Sequence, residues 1–371
     1  MKYKFEICII LIVFNFSCSN IRKKPKDIKT ILLKKTEDVQ PFSSFISELD
    51  YIELKFTQNN LMAGKIESLK LLDNDIIIKQ SVKRETELLR FSEDGKFLNK
   101  IGQIGKEPGE INDPRDVILY NNDFAVWDQN GIKLFSKSGD YKEKLFNARL
   151  PGNRFFYSKN RFNLFHETTA PGYLSEYAQD GSLEHIFNRN NLEYSGTGYS
   201  AVTELAKDSF HLFSPINDTI YAFAHEQLIP KYIIQGKSYP TLVQTLKKAG
   251  SLNPQETLKY LNNNRHWTIK TYLENRNFIF IVYQLGSYPF HLIIRKSDWQ
   301  TTYIEEIIND IDGGVWDDPV YLSDNDELYI PLNAYLIKGH KIRNKIRHGF
   351  EKVIEMTELS NNPVIMRCKL K

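Results

Sequence analysis

Leu88-Leu89-Arg90-Phe91-Ser92-Glu93-Asp94-Gly95-Lys96-Phe97-Leu98 is an apolar strand, a polar turn and a second apolar strand. Lys133-Leu134-Phe135-Ser136-Lys137-Ser138-Gly139-Asp140-Tyr141 and Leu174-Ser175-Glu176-Tyr177-Ala178-Gln179-Asp180-Gly181-Ser182-Leu183 repeat the design. At each tip, Asp-Gly or Ser-Gly supplies the positive φ that tight hairpin turns demand. The tip glycines stand at 95, 139 and 181, spacings of 44 and 42. A further step of 44 lands on His225, between the strand-like Thr219-Ile220-Tyr221-Ala222-Phe223 and Leu228-Ile229-Pro230-Lys231-Tyr232-Ile233-Ile234. The next matching turn, Lys296-Ser297-Asp298, is displaced by an insertion. Residues 241–264 read as two short helices broken at Gly250, the second opened by Asn253-Pro254 as N-cap and first-turn proline. A second helical insertion is expected over residues 343–358.

Two more strands precede each hairpin, such as Ile66 to Leu72 with Asp75 to Gln80, and Asp116 to Tyr120 with Phe124 to Asp128. Four short strands per repeat at this period predict an all-β fold, a six-bladed β-propeller. Its blades lie near 66–102, 115–146, 154–188, 200–235 and 268–308. The sixth takes Val320 to Leu322, Glu327 to Ile337 and Pro363 to Leu370. The early strand Tyr51-Ile52-Glu53-Leu54-Lys55-Phe56 has no local partner, and joining it to the last sheet closes the ring. A solenoid would need capping repeats, and none is visible. The chain then divides into a signal peptide (1–17), a lipidated N-terminal tether (18–44) and the propeller (45–371).

The address is written at the start. Lys2 and Lys4 precede an apolar core, Ile7 to Phe14, of signal-peptide length and too short to span a bilayer. Asn15-Phe16-Ser17-Cys18 resembles a bacterial lipobox, so Cys18 is the expected acylation site and membrane lipid the expected partner there; simple signal cleavage is the alternative. Of three cysteines, Cys8 leaves with the signal and Cys18 carries lipid, so Cys368 stands alone and no disulfide framework is possible. The lysine-rich stretch from Ser19 to about Gln40 reads as a flexible leash whose Arg22, Lys23, Lys24 and Lys26 could touch anionic head groups. A net charge of +3 gives no field to recruit nucleic acid.

Ile101-Gly102-Gln103-Ile104-Gly105-Lys106-Glu107-Pro108-Gly109-Glu110-Ile111-Asn112-Asp113-Pro114 resembles the blade-joining loop of NHL-type propellers. Residues 213–221 (Phe-Ser-Pro-Ile-Asn-Asp-Thr-Ile-Tyr), 309–314 (Asn-Asp-Ile-Asp-Gly-Gly) and 362–366 (Asn-Pro-Val-Ile-Met) resemble further marks of one group. That group is the six-bladed β-propeller lipoproteins of Bacteroidota, and the resemblance runs from about residue 45 to the end. It implies the fold and a cell-envelope location, and it extends to proteins placed near outer-membrane nutrient-uptake systems.

No stretch carries a catalytic constellation. The glycines of 102–114 do not fit a phosphate-binding loop and no helix follows them, so a structural turn is expected. Asp310, Asp312, Asp317 and Asp318 surround Gly313-Gly314 without EF-hand spacing, and side-chain-stabilised turns explain them more simply than Ca²⁺ does. The eight histidines form no H-E-x-x-H. There is no G-x-S-x-G elbow, and Asp94-Gly95 lacks the flanks of a sialidase Asp-box. No cofactor and no metal are expected. What remains is one face of the propeller, where the loops entering each inner strand meet those joining the second and third strands. They hold Arg84, Arg115, Asp116, Arg154, Tyr199, Arg265, His266, Trp267, Tyr288, Trp316 and Asp317. Arg115, Arg154, Arg265, Trp267, Trp316 and Asp317 are the candidate ligand-binding residues, with Trp267 and Trp316 flanking one pocket; the plainer alternative is that both tryptophans are packing. The expected function is a non-catalytic envelope lipoprotein that binds a glycan, a peptide or an envelope protein, tethered to the outer membrane and facing the periplasm, with the cell surface as the alternative. The alternative is a propeller enzyme, a metal-assisted lactonase, lyase or glycan-cleaving protein acting at the channel mouth.

Overall fold

The computed structural model describes residues 28–55, 65–82, 85–148, 153–166, 174–187, 201–215, 217–250, 252–340, 349–360 and 362–371. Cys18, Arg84 and Tyr199 lie outside them.

Six antiparallel sheets stand around one axis as the blades of a β-propeller. Their inner strands are Lys65–Leu72, Asp116–Tyr120, Arg154–Ser158, Ala201–Ala206, Trp267–Glu274 and Tyr321–Leu322, for blades 1 to 6. In blades 1 to 5 the next three strands follow outward in chain order. Blade 6 is composite. Glu327–Leu332 and Val364–Leu370 are its middle strands, and Ile46–Glu53 from the other end of the chain is its outer one. Ile52 pairs with Ile365 and Asp50 with Arg367, so the ring is closed by backbone hydrogen bonds as expected from its lone early strand.

The apolar core is divided into layers, each squeezed between neighbouring blades. Ile77, Leu88, Val117 and Phe135 fill the layer between blades 1 and 2. Trp127, Ile132, Phe155 and Tyr177 fill that between blades 2 and 3. Equivalent clusters separate 3 from 4, 4 from 5, 5 from 6, and 6 from 1. This explains why strands such as Phe278–Leu285 are buried almost throughout: both faces of the sheet meet another sheet.

The repeating glycines serve that packing as well as the turn. Gly95 and Gly139 have φ of 84° and 91°. A Cβ on Gly95 would overlap Glu53 O of blade 6, and one on Gly139 would overlap Lys100 O of blade 1. Each hairpin tip therefore lies directly against the outer strand of the preceding blade.

Two expectations need correction. The leash is bound from Lys29 onward: Lys29–Leu33 pairs in parallel with Gln227–Gly236, giving blade 4 a fifth strand, and Val39–Pro41 pairs in parallel with Glu306–Ile308. The cause is alternation hidden among lysines, for Ile31 and Leu33 are 1% and 0% exposed in the layer beside blade 5. The second insertion, expected over 343–358, contains helices Ala334–Gly339 and Phe350–Ser360; it starts earlier, capped by Asn333, whose side chain accepts from Leu336 N at 2.9 Å. The first insertion forms Leu242–Ala249 and Pro254–Asn263, each opened by a capping box, on Thr241 and on Asn253.

Candidate binding site

The inner strands enclose an axial cavity of about 1380 Å³. Strand register defines its two ends. Trp267 pairs with Leu285, which pairs with Tyr288, so the start of the inner strand and the turn between second and third strands share one face, here the mouth. The opposite face carries the hairpin tips.

The cavity wall carries charges of both signs, with Lys65, Glu67 and Lys70 on blade 1 and Lys270 on blade 5 among them. On one side, Asp116 of blade 2 is 4% exposed and sits between cations of its two neighbours. Its Oδ1 lies 2.6 Å from Lys70 Nζ of blade 1 and 3.8 Å from Arg154 Nη1 of blade 3, and its Oδ2 accepts from Phe155 N at 3.2 Å. Lys70 also donates to Val117 O at 3.0 Å. Desolvation by the wall pulls the Lys70 pKa below the ordinary lysine value, with Arg154 adding to the effect and Asp116 opposing it. Two cations thus share one carboxylate. Across blades 4 and 6 the wall carries Glu204, Asp317, Asp318 and Asp324. Burial, with repulsion from Asp208, raises the Glu204 carboxyl; burial, with repulsion from Asp318, raises Asp317.

Toward the hairpin end, Glu274 is a fully buried carboxylate with a complete set of donors. It accepts from Tyr272 Oη at 2.6 Å, Lys296 Nζ at 2.7 Å and His211 Nδ1 at 2.9 Å. These bonds tie blade 4 to blade 5 and give the charge a structural role.

Arg154 and Asp317 line the cavity. Arg115 stands outside it, paired with Asp113 at 3.0 Å, and Arg265 is exposed ahead of its strand. Trp267 is 1% exposed, packed on Tyr239, Tyr283 and Phe290, with Nε1 donating to Lys237 O at 3.3 Å. Trp316 is half-buried against Phe42 and Phe280 in the next layer. The two indoles therefore belong to separate core layers and flank no common pocket, because each side chain turns sideways between blades instead of inward. Asp116 is buried behind the cavity residues Lys70 and Arg154, His266 Nδ1 contacts Asn264 O at 2.7 Å, and Tyr288 is 69% exposed at the mouth.

The acidic turn is used internally. Asp312 accepts from Asn309 Nδ2 at 2.6 Å, Tyr51 Oη at 2.8 Å and Gly314 N at 2.9 Å, while Asp310 accepts from Ser43 N at 2.8 Å. Among the described residues, Glu176, Glu184 and His185 bring ligand atoms together on blade 3. The guanidinium of Arg161 lies among them, its Nε against Glu184 and 3.5 Å from Glu176, and its Nη1 reaches Glu226 of blade 4 at 3.1 Å. A structural ion network fills that space.

Sequence reasoning missed Lys70, Glu204 and Tyr335. Lys70 had a signal, an ionisable residue between Leu69 and Leu71 in an inner strand. Tyr335, 86% exposed, follows the cavity residue Asn333 by two positions, and Tyr288 directly precedes the cavity residue Pro289. Both rings stand on segments that form the mouth.

A family model described as "Domain of unknown function (DUF4934)" matches residues 28–369. The chain belongs to that family. Among solved structures, this DUF4934 chain is similar to a "Putative exported protein" of Bacteroides fragilis, at 18% identity over 92% of this chain and 100% of that one, with a TM-score of 0.74. At that identity the likeness establishes the propeller fold. A Bacteroides thetaiotaomicron protein of unknown function is similar more loosely, at 8% identity over 87% of this chain and 76% of that one, with a TM-score of 0.47. No curated protein matches the DUF4934 sequence.

Proposed function

We propose that this protein is an exported, lipid-anchored binding propeller whose ligand enters the axial cavity from the mouth and is held without being transformed. The observation that carries the reading is a cavity wall lined by charges of both signs. Lys70 and Arg154 share one carboxylate on blades 1 to 3, and Glu204 and Asp317 face the same space from blades 4 and 6. A wall of that kind suits a ligand bearing both charges, and a peptide fits better than a neutral glycan. Exposed Tyr288 and Tyr335 offer apolar area at the rim with little rotamer entropy to lose. The likeness to a "Putative exported protein" supports export. The lipobox-like Ser17-Cys18 supports attachment through Cys18, and the NHL-like loop 102–114 supports kinship with Bacteroidota lipoproteins of the outer membrane, with the propeller facing the periplasm.

Calorimetric titration with a peptide library tests the ligand class. Arg154→Gln should weaken a hit by roughly 1.5–3 kcal/mol, the value of a hydrogen bond to a charged group, while Lys70 keeps Asp116 paired and the fold intact. Equal affinity for the variant, or hits confined to neutral oligosaccharides, would remove the peptide reading. Cys18→Ser should move the protein from membranes to the soluble fraction; a variant that stays membrane-bound defeats the anchor.

A further inference from the structure

The path of the N-terminal strand defines which face of the propeller meets the membrane. Lys29–Leu33 runs up the groove between blades 4 and 5. At its start, Lys29 Nζ lies 4.1 Å over the ring of Trp299, in the turn between the third and fourth strands of blade 5. That turn is a hairpin tip. At its end, Lys34 O accepts from Tyr283 Oη at 2.8 Å, and Tyr283 lies three residues before the mouth-side turn at Gly286. The chain therefore enters the fold at the hairpin-tip face and climbs toward the mouth.

Cys18 is eleven residues upstream of Lys29. Blade 5, with eight-residue strands, is about 26 Å from tip to mouth. Bringing the mouth to the lipid would require the connector to stretch back along the whole blade, close to its limit of about 38 Å. Presenting the hairpin-tip face requires no stretching.

The charge on that face agrees. The first turns of blades 3, 4 and 5 carry exposed Lys159, Lys207 and Arg276, around the point where the chain enters. Glu226 is paired with Arg161 at 3.1 Å and lies 4.0 Å from Lys159, Asp298 is paired with Arg295 at 2.8 Å, and Asp208, beside Lys207, accepts from Ser158 Oγ at 2.6 Å, which leaves Lys207 and Arg276 as the cations facing outward there. Exposed cations beside a lipid anchor favour an anionic bilayer surface.

We infer that the hairpin-tip face below blades 3 to 5 rests on an anionic lipid surface, and that the cavity mouth points away from the membrane. The inference rests on lipid attachment at Cys18. A ligand would then arrive from the aqueous compartment, never laterally from the bilayer.

Blade 5 offers two matched probe sites. Ser287 is exposed in the mouth-side turn and Ser297 in the hairpin tip, and the remaining cysteine of the mature chain, Cys368, is buried. Ser287→Cys and Ser297→Cys variants of the lipidated full-length protein would each carry a fluorescent donor. They would be bound to phosphatidylethanolamine–phosphatidylglycerol vesicles containing an acceptor lipid. Energy transfer from position 297 is expected to exceed that from 287 several-fold. Protein that floats with the vesicles but transfers equally well or better from 287 overturns the orientation alone. Lipid-exposed protein that does not float with the vesicles overturns the anchor, and the orientation with it.

Discussion

Replacing Lys133 by Met removes one charge from the interior while keeping the side chain's length. Lys133 and Asp128 are 2% and 1% exposed, with Nζ 2.8 Å from Oδ2. Nζ also donates to Glu110 O, in the loop that joins blades 1 and 2. Asp128 accepts further from Asn112 N at 3.0 Å and Asn130 N at 2.7 Å, so the pair holds both ends of the joining loop's final turn. In the variant the carboxylate keeps two backbone donors but loses its counter-ion, and Glu110 O loses its donor. Breaking a buried pair by removing one partner costs about 3–5 kcal/mol. At roughly 2.1 cal/mol/K per residue for unfolding entropy, a chain of this size should melt about 4–7 °C lower. Asp128→Asn should cost a similar amount, and the double variant clearly less than the sum, since no unpaired charge remains. Circular dichroism melts and amide exchange across 102–114 read both quantities. A Lys133→Met protein that melts within about 1 °C of wild type, with unchanged exchange in that loop, would refute the argument that the loop is held by a buried charge.

Other predictions concern the junctions and the core. Burial pushes the Glu274 carboxyl up, but His211 and Lys296 together outweigh it and leave the pKa below the ordinary glutamate value. A depressed folded pKa contributes stability that is present above the unfolded value of about 4.3 and lost as pH falls through the folded one. Wild-type melting temperature should therefore drop at acid pH. Glu274→Gln should flatten that part of the drop and lower stability at neutral pH by about 3–5 kcal/mol, read by melts across pH. Trp267→Ala should cost about 3–5 kcal/mol, as deleting a large core side chain does. Trp316→Ala, at a half-buried position, should cost visibly less in the same melts.

The hairpin repeat carried the architecture because it is local. A turn needs positive φ at one residue and alternation on either side, and Gly95, Gly139 and Gly181 satisfy both within ten residues. The closure strand was legible for a related reason: an apolar strand without a local partner must find a distant one. The binding candidates were less legible. Trp267 and Trp316 were chosen for residue type and place in the blade, yet which way a side chain turns at the start of an inner strand depends on the twist of its sheet and on the neighbouring blade. That rotation sends both indoles into interblade layers and turns Arg154 and Asp317 inward. The strap at Lys29–Leu33 was hidden because Ile31 and Leu33 gain burial only beside Tyr283 and Tyr303, far along the chain. Lys70, Asp116 and Arg154 are 46 and 38 residues apart, on successive inner strands, and become one charge cluster when the ring closes. Sequence determines a propeller's period through short-range turn chemistry and alternation. The contents of its cavity are decided by contacts between repeats, and those exist in the folded ring alone.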